Sequence, residues 1–486
     1  MNERIVQTLR DLRAYALTKT GLDVAIYYHE EDSHLMRFAN SAISLNTNEH
    51  LIRLQITAYS GQKRASYGLI TDLGKLDEMK RGIDMACEMV VHAQPLSYKP
   101  TIPLFTETFV DESAYDETLA AISGEERLEY FNDAVKGLET DQVRLSGIFN
   151  NGSTIIAQIN TRSEHIQYFR FSDAQISSVL AHETLKWETT AEQSAQKKSD
   201  LDPSRLHHDL AFLLDCYQNN TPRQIPLGRY DIVFGAIALS ELASVMNWIG
   251  FSGGAMKRGF SFLNEDQVGK EVFSKHITLL DDPACMATFP FKRDLTGIPR
   301  KSWPLIEQGV FKGFIWMQDD ADEFGTQPTG HTVGHPSLAM QGGQHQVSNL
   351  AELVKQPRDN DLLYIPFLHY MNIVNPSKGV VTASSRFGAL LLKKDGSVAV
   401  PFNVRVTQSV LDIFGPKVAW VSDTTQAVNV SGSYGARNPT AIILPAWSHS
   451  PARCSASTSA KSTESIRHLA ECSPPRRALT PSLIRR

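Results

Sequence analysis

The chain has 486 residues, of which 42% are hydrophobic, 21% charged and 9% aromatic. This is the composition of a globular protein with a large core, and it excludes collagen-like, coiled-coil and wholly disordered chains. At roughly 100–200 residues per domain, the length predicts two to four domains. The formal net charge of −5, from 48 Lys+Arg and 53 Asp+Glu, excludes a generally basic nucleic-acid-binding protein.

The charge is unevenly distributed along the chain. Residues 448–486 contain 7 Lys/Arg and 2 Asp/Glu (+5), so residues 1–447 contain the remaining 41 and 51 (−10). This tail is rich in Ser, Ala, Pro and Arg and has few large apolar residues, which predicts disorder. A basic arm for an anionic partner is one interpretation; we favour a solvated extension or a reading-frame artefact.

The cysteines and the apolar segments predict a cytoplasmic protein. The five cysteines are scattered and form no CxxC pair, so neither a disulfide framework nor a cysteine zinc site is expected. Buried free thiols in a reducing compartment fit this pattern. The N-terminal segment is amphipathic rather than apolar, which predicts no signal peptide. Residues 232–256 are the most apolar stretch, but Glu241 and Asn247 interrupt it, so we expect soluble core and no membrane partner.

Residues 1–104 predict an N-terminal α+β domain. Apolar residues recur at helical spacing in the first 16 residues, and residues 23–31 form a β-branched and aromatic run typical of a strand. Further strand-like runs follow, and a helix is predicted over residues 76–92. Three prolines between residues 95 and 103 then indicate a linker.

Residues 105–225 predict a middle region that is rich in strands and helices. A helical pattern over residues 124–138 precedes a long run of strand-like sequence. Within that run, the Asn151-Gly152 pair predicts a hairpin turn. Asp202 is predicted to cap the helix that ends this region.

Residues 226–447 predict a C-terminal domain that is largely antiparallel β, because short strand-like segments alternate with glycine-containing turns. The predicted fold class is therefore α+β. A mixed α/β N-terminal region is followed by a β-rich C-terminal domain and the disordered tail of residues 448–486.

Two local motifs resemble catalytic signatures without their structural context. His182-Glu183 begins like a zincin helix, but Lys186 stands where the second histidine is needed, and the flanking pattern is that of a strand. Gly250-Phe-Ser252-Gly-Gly matches the nucleophile elbow, which requires a sharp strand-to-helix turn. Because a helix is predicted before Ser252, we favour a glycine loop over a serine nucleophile.

A histidine-rich loop is the third candidate site. His331 and His335 have the i,i+4 spacing of metal ligands on a helix, and His345 follows. Pro328 and Gly330 make a helix implausible there, so the spacing loses its geometric meaning. A binding role and a plain surface loop both remain open.

From this loop outward the chain resembles the TldD/PmbA family. The resemblance covers roughly residues 1–447 and rests on the order of four stretches: RFANSAI, LGRYDIVFGAIALSELA, GFSGGAMKRGFSFLNEDQVGKEVFSKHITLLDDP and IEQGVFKGFIWMQDDADEFGTQPTGHTVGHP. The family implies a heterodimeric zinc peptidase of the cytoplasm. Its TldD-type subunit resembles a metallopeptidase with a His-Glu-x-x-x-His motif and a late cysteine as zinc ligands.

The zinc-binding pattern is missing from this chain. The nearest correspondence places Ser240 and Glu241 at His-Glu and Val245 at the second histidine. The late β segment also has no cysteine. Three such replacements cannot hold zinc. We therefore expect no metal and no cofactor in this chain, with Glu241 as a possible remnant of the general base.

The resemblance thus favours the PmbA (TldE-like) side, a non-catalytic subunit. Such a subunit would pair with a zinc-carrying TldD-type partner and act with it on unfolded or extended peptides, whose backbones suit strand addition. Gly330, His331, His335 and Ser252 are the predicted residues of a substrate or interface loop. Two alternatives stay open: a hydrolase of the same family using an atypical metal site or Ser252, and a homodimeric binding protein without catalysis.

Overall fold

The computed structural model describes residues 1–218, 220–226, 228–431 and 436–458, the last eight as backbone only. Three β-sheets of seven, six and nine strands form the framework, and helices pack against them. The predicted α+β fold class is confirmed.

The N-terminal sheet has the strand order β3-β2-β1-β5-β6-β4, with β7 also paired to β6. It contains strands from both predicted N-terminal regions, because β1 pairs with β2 on one side and with β5 on the other. The strand bounds are β1 Asp23–Ala39, β2 Ala42–Ser60, β3 Lys63–Thr71, β4 Phe109–Ala114, β5 Val143–Asn160, β6 Ser163–His182 and β7 Glu188–Ala195.

Two helices cover one face of this sheet. Helices α1 (Glu3–Ala16) and α2 (Leu76–His92) occupy the two segments where helices are predicted. Side chains of a strand alternate between faces, so Ile26 and Tyr28 of β1 are buried beneath these helices. The intervening side chains point to the opposite face, which is turned towards the C-terminal half of the chain.

The Asn151-Gly152 pair lies in the middle of β5, so the predicted hairpin is wrong at this position. A Cβ atom on Gly152 would lie 2.1 Å from the carbonyl oxygen of Asp32, so only glycine lets β5 and β1 approach. The Asn151 amide donates to the carbonyl of Leu119 at 3.0 Å. The chain reverses at residues 161–162 instead.

Three helices complete the N-terminal half: α3 Glu117–Ala120, α4 Gly124–Val135 and α5 Pro203–Gln218. The Asp202 carboxylate accepts a hydrogen bond from the backbone N–H of Arg205 at 3.1 Å, so the predicted cap of α5 is confirmed. Helices α4 and α5 pack against each other, and α5 also contacts β7.

The C-terminal half contains two sheets whose pairs are mostly antiparallel, as predicted. The six-stranded sheet has the order β11-β10-β9-β12-β21-β20, and the nine-stranded sheet has the order β14-β15-β18-β22-β8-β13-β16-β17, with β19 paired to β22. The first is built from β9 Leu279–Asp281, β10 Trp303–Glu307, β11 Val310–Phe311, β12 Leu338–Met340, β20 Thr425–Asn429 and β21 Ala441–Pro445. The second is built from β8 Gly228–Gly235, β13 Leu362–Ile365, β14 Leu368–Asn375, β15 Val380–Ser385, β16 Leu390–Leu392, β17 Val398–Ala399, β18 Val404–Ser409, β19 Trp420–Val421 and β22 Trp447–Thr458.

Helices of this half are short, and the longest passes through the core. They are α6 Ala236–Val245, α7 Gly253–Lys257, α8 Gln318–Phe324, α9 Leu350–Lys355 and α10 Val410–Ile413. Helix α6 continues into a π-helical turn over Met246–Gly250. Its buried residues belong to the apolar cluster that joins the six- and nine-stranded sheets.

The structure differs from the prediction at the start of the tail. Strand β22 extends from Trp447 to Thr458 and pairs with both β8 and β18. Residues 448–458 therefore belong to a sheet. Backbone hydrogen bonds to β8 and β18 hold this segment in place although its side chains include few large apolar residues. The remaining predicted tail, residues 459–486, lies outside the described residues. No helix in the described part of the chain is long and apolar enough to cross a membrane.

Candidate functional site

A cleft of about 950 Å³ lies between the N-terminal sheet and the C-terminal half. Its floor is the face of the sheet opposite α1 and α2. Cross-strand pairing places His29 beside Arg53, and Tyr27 beside Gln55. Gln55 is in turn paired with Gly68 of the edge strand β3. Among the residues that line its remaining walls are Pro103, Gln158, Leu295, His335 and Asn438. We call this cavity the sheet cleft.

Some of the buried nitrogens that lack partners belong to residues that line the sheet cleft. Arg53 Nη1, Gln158 Nε2 and His335 Nδ1 are buried and have no hydrogen-bond partner within the described residues. The Nη2 atom of Arg53 is engaged by Glu31 at 3.1 Å. An unpaired buried polar group costs about 1–3 kcal/mol, so each of these nitrogens is stabilised when a ligand or water supplies a partner.

A buried arginine joins the two halves beside the cleft. The Nε of Arg437 donates to Asp173 Oδ1 at 2.8 Å, its Nη1 donates to Asn150 at 2.7 Å, and its backbone N–H donates to the Glu31 carboxylate. The Arg437 carbonyl lies 2.8 Å from Nε2 of His29. These contacts connect a C-terminal loop to β1, β5 and β6 and fix the width of the cleft.

His331 is held in a buried charged network and does not line the sheet cleft. Its Nδ1 lies 2.9 Å from Oδ2 of Asp281, and the Nη2 of Arg300 donates to Oδ1 of the same carboxylate at 2.5 Å. All three side chains are at most 1% exposed. Burial opposes ionisation of Asp281, but the hydrogen bond from His331 and the charge of Arg300 outweigh it and hold the pKa of Asp281 below its ordinary value.

His335 occupies a different environment on the same loop. Its ring is half-buried at the cleft wall, 5.0 Å from the ring of Phe291 between centroids. Burial, with smaller contributions from the charges of Arg300 and His29, lowers the pKa of His335 to about 4. The imidazole is therefore neutral at pH 7, and it can donate or accept a hydrogen bond there.

The loop conformation depends on Gly330 and Arg300. Gly330 has φ +74°, and a Cβ atom there would lie 3.0 Å from Ile298, so a side chain would be both strained and crowded. Arg300 also donates to the carbonyl oxygen of His335 at 3.4 Å. Arg300 therefore contacts the His335 end of the segment directly and reaches the His331 end through the Asp281 carboxylate.

Asp281 is the residue that sequence reasoning missed. It is the first residue of the Asp-Asp-Pro sequence at positions 281–283, within one of the stretches that resemble the family. Asp281 also accepts from the backbone N–H of Ser337 at 2.8 Å, so it fixes the loop on both sides of His335. The sequence feature that could have indicated a role for Asp281 is its position at the end of β9, directly before a turn.

Ser252 is a structural residue in this fold. It is 5% exposed, and its hydroxyl accepts a hydrogen bond from the backbone N–H of Ala255, which caps α7. The glycines beside it permit close packing, because a Cβ on Gly254 would lie 2.2 Å from the Asp320 carboxyl. A helical turn precedes Ser252, as expected, so the geometry of a nucleophile elbow is missing.

Glu241 lies apart from the histidine loop. Helix α6 buries Ser240, whose hydroxyl donates to the carbonyl of Ile237 at 2.8 Å, and exposes Glu241. Glu241 approaches Glu192 of β7. Burial, together with the charge of Glu241, raises the pKa of Glu192 to about 7, while a hydrogen bond from Ser177 opposes this. Glu241 is not among the residues that line the sheet cleft.

The described residues do not fit a zinc site. Within residues 1–218, 220–226, 228–431 and 436–458, no group of three His, Cys, Asp or Glu side chains is placed to hold a metal ion. His331 has its Nδ1 committed to Asp281, and His335 faces the sheet cleft. That this chain binds no zinc stays a prediction from its sequence.

Comparison with known structures shows that other proteins share this three-sheet fold. TldE from Thermococcus kodakarensis superposes with a TM-score of 0.71 at 16% identity, covering 91% of this chain and 100% of that one. A proposed modulator of DNA gyrase from Bacteroides thetaiotaomicron gives a TM-score of 0.71 at 15% identity, over 91% and 98%. One from Thermotoga maritima gives 0.66 at 16%, over 91% and 99%.

Part of the amino-acid sequence also matches a protein-family model. Residues 227–449 match the family model described as the PmbA/TldA metallopeptidase C-terminal domain. The predicted resemblance to the TldD/PmbA family is therefore confirmed for residues 227–449, which carry this domain. A comparison with curated protein sequences finds no match.

Proposed function

We propose that this chain is a TldE-type, substrate-holding subunit of a cytoplasmic heterodimeric peptidase, and that the sheet cleft receives a segment of an extended peptide. The zinc and the general base would come from a TldD-type partner subunit. One observation carries this proposal: the cleft combines a volume of about 950 Å³ with three buried nitrogens that lack partners. That volume lies at the upper end of the range for ligand sites, roughly 300–1,000 Å³.

The donors in the cleft suit the backbone of a peptide. The guanidinium of Arg53 and the amide of Gln158 can each donate to a peptide carbonyl, and neutral His335 can do the same. Every peptide offers such carbonyls, so this recognition is largely independent of sequence. Ile70 and Leu295 also line the cleft and supply apolar surface for side chains.

The position of the cleft supports an extended ligand. Strand β3 is the last strand at its end of the N-terminal sheet, and Ser66, Gly68 and Ile70 of β3 line the cleft. A peptide that follows the cleft can therefore add to the free edge of β3 through main-chain hydrogen bonds. An unfolded substrate can form this pairing, whereas a folded one has its strands already paired.

Blocking the floor of the cleft tests the proposal. Gly68 has ordinary φ, and the nearest atom to an added Cβ is 3.9 Å away, so Gly68→Trp fills the cleft without forcing the backbone. We expect it to weaken binding of a fluorescein-labelled, unstructured casein peptide at least about tenfold, measured by anisotropy on the full chain together with a TldD-type homologue. The matched control Leu45→Trp, at an exposed position of β2 outside the cleft, should bind like the wild type.

Two results would overturn the proposal. Equal peptide binding by Gly68→Trp and Leu45→Trp would show that the cleft is not the site. About one tightly held zinc per chain, measured by elemental analysis of the purified protein, would contradict the non-catalytic role. Size-exclusion chromatography of the mixed subunits, with denaturing gel electrophoresis of the dimer peak, distinguishes the heterodimer from a homodimer of this chain.

A further inference from the structure

A second cavity, of about 310 Å³, is built on the nine-stranded sheet. Parallel and antiparallel pairing place Asp231 of β8, Leu362 of β13 and Leu392 of β16 in one row across its floor. The segment after α9 forms a wall that includes Arg358. This cavity shares no lining residue with the sheet cleft.

Aromatic rings form another wall of this cavity. The ring of His345 stacks on Trp420 with centroids 4.0 Å apart and an interplanar angle of 19°. His449, paired with Trp420 across β22 and β19, lies 5.4 Å from the same indole. Burial lowers the pKa of His449, so this ring is neutral at pH 7 and does not neutralise Asp231.

Opposite charges line the cavity: the carboxylates of Asp231 and Asp359 and the guanidinium of Arg358. Arg358 donates through its Nε and Nη2 atoms to the backbone carbonyls of residues 353, 354 and 356, while its Nη1 has no hydrogen-bond partner in the described chain. The contact recorded for the Asp231 carboxylate is a long one, 3.5 Å from the amide of Asn360. Neither Asp231 nor Arg358 forms an ion pair within the described residues, whereas the nearby Asp361 is paired with Lys393 at 2.9 Å.

We infer that this cavity binds a free α-amino acid with an apolar side chain. The ammonium group would pair with Asp231 and the carboxylate with Arg358, because a zwitterion supplies both missing countercharges at once. Leu353, Leu362 and Leu392 would receive the side chain next to the indole of Trp420. The cavity volume lies at the lower end of the range for small-molecule sites, which suits a ligand of this size. The inference is independent of the function proposed for the sheet cleft.

Calorimetric titration of the full chain with L-leucine tests this site, and the wild type alone is sufficient for the first step. We expect saturable binding with a Kd below about 1 mM. L-leucinamide lacks the carboxylate and N-acetyl-L-leucine lacks the ammonium group, so each should bind at least about tenfold more weakly. N-acetyl-L-leucinamide, which lacks both charges, should give no saturable signal.

A variant locates the site. Asp231→Asn keeps the size of the side chain and removes the charge, and we expect it to weaken L-leucine binding at least about tenfold. Asp395→Asn, on a turn that does not line the cavity, is the matched control and should bind like the wild type. No saturable binding of L-leucine up to about 10 mM, equal binding of N-acetyl-L-leucinamide, or unchanged affinity in a folded Asp231→Asn variant would each overturn the inference.

Discussion

His331 and His335 lie four residues apart on one loop, yet the fold gives them opposite environments. His331 belongs to a closed network in which Asp281 receives a hydrogen bond from Arg300 and lies 2.9 Å from the imidazole. His335 stands at the wall of an open cleft, where its Nδ1 has no partner among the described residues. A fully buried network of charges holds a loop in place, whereas a side chain at the wall of a cleft is available to a ligand. The difference separates a structural histidine from a candidate binding histidine.

The largest expected effect comes from breaking the closed network. Asp281→Ala leaves the guanidinium of Arg300 buried without its carboxylate, and loss of one partner of a buried pair costs about 3–5 kcal/mol. Urea denaturation monitored by circular dichroism measures this free energy of unfolding. The neighbouring Asp282→Ala removes only a hydrogen bond to the backbone N–H of Ala284 and should cost about 1 kcal/mol. Equal losses in the two variants would contradict the role assigned to Asp281.

Exchanging each histidine for phenylalanine tests the comparison directly. His331→Phe removes the 2.9 Å contact between the imidazole and the buried carboxylate of Asp281, so we expect a loss of stability of about 1–3 kcal/mol. His335→Phe removes no recorded side-chain hydrogen bond and should change stability by less than about 1 kcal/mol, while weakening peptide binding. Denaturation and peptide anisotropy are measured on both variants. If His335→Phe proved the more destabilising, the two roles would be reversed.

Local sequence patterns predicted the elements that depend on near neighbours. The apolar spacing that predicts α1 corresponds to buried Ile5, Leu9 and Leu12, and Asp202 caps α5 as its residue type indicates. The same local reasoning failed at Gly152, because that glycine is required by Asp32, a residue 120 positions earlier on another strand. An Asn-Gly pair occurs both in a hairpin turn and where a neighbouring strand approaches closely. The sequence of one strand alone does not distinguish these two cases.

The candidate site was predicted in part, for the same reason. The glycines around His331 correctly indicated a loop rather than a metal-binding helix, and Gly330 has the positive φ that such a loop uses. The sequence could not show that Asp281 lies beside His331, because 50 positions separate them. Nor could it assemble the sheet cleft, whose walls combine β1, β2 and β5 with His335 and Asn438.

A pH titration sharpens the comparison at the cleft. The pKa of His335 is about 4 in the folded protein and would be about 6.5 in an unfolded chain. The unfolded chain therefore binds a proton more readily, so the stability present at neutral pH is lost as pH falls from about 6.5 to 4. His335→Gln should flatten the dependence of the melting temperature over this range. An unchanged slope would show that His335 is not the group that titrates.

The carboxylate pair of β7 and α6 provides a pH effect of the opposite sign. The pKa of Glu192 is raised from 4.5 to about 7, so the folded protein binds this proton more tightly than the unfolded chain does. The stabilisation is complete below about pH 4.5 and is lost as pH rises towards 7. Because Glu192 is half-buried and partly screened by solvent, we expect about 1–2 kcal/mol. Glu192→Gln should remove this loss, measured as the melting temperature between pH 5 and pH 8, whereas Glu129→Gln, at an exposed position of α4, should leave it in place. If Glu192→Gln and His335→Gln shifted the pH profile in the same direction, one of the two assigned environments would be wrong, since a buried acid and a buried base must respond to burial with opposite signs.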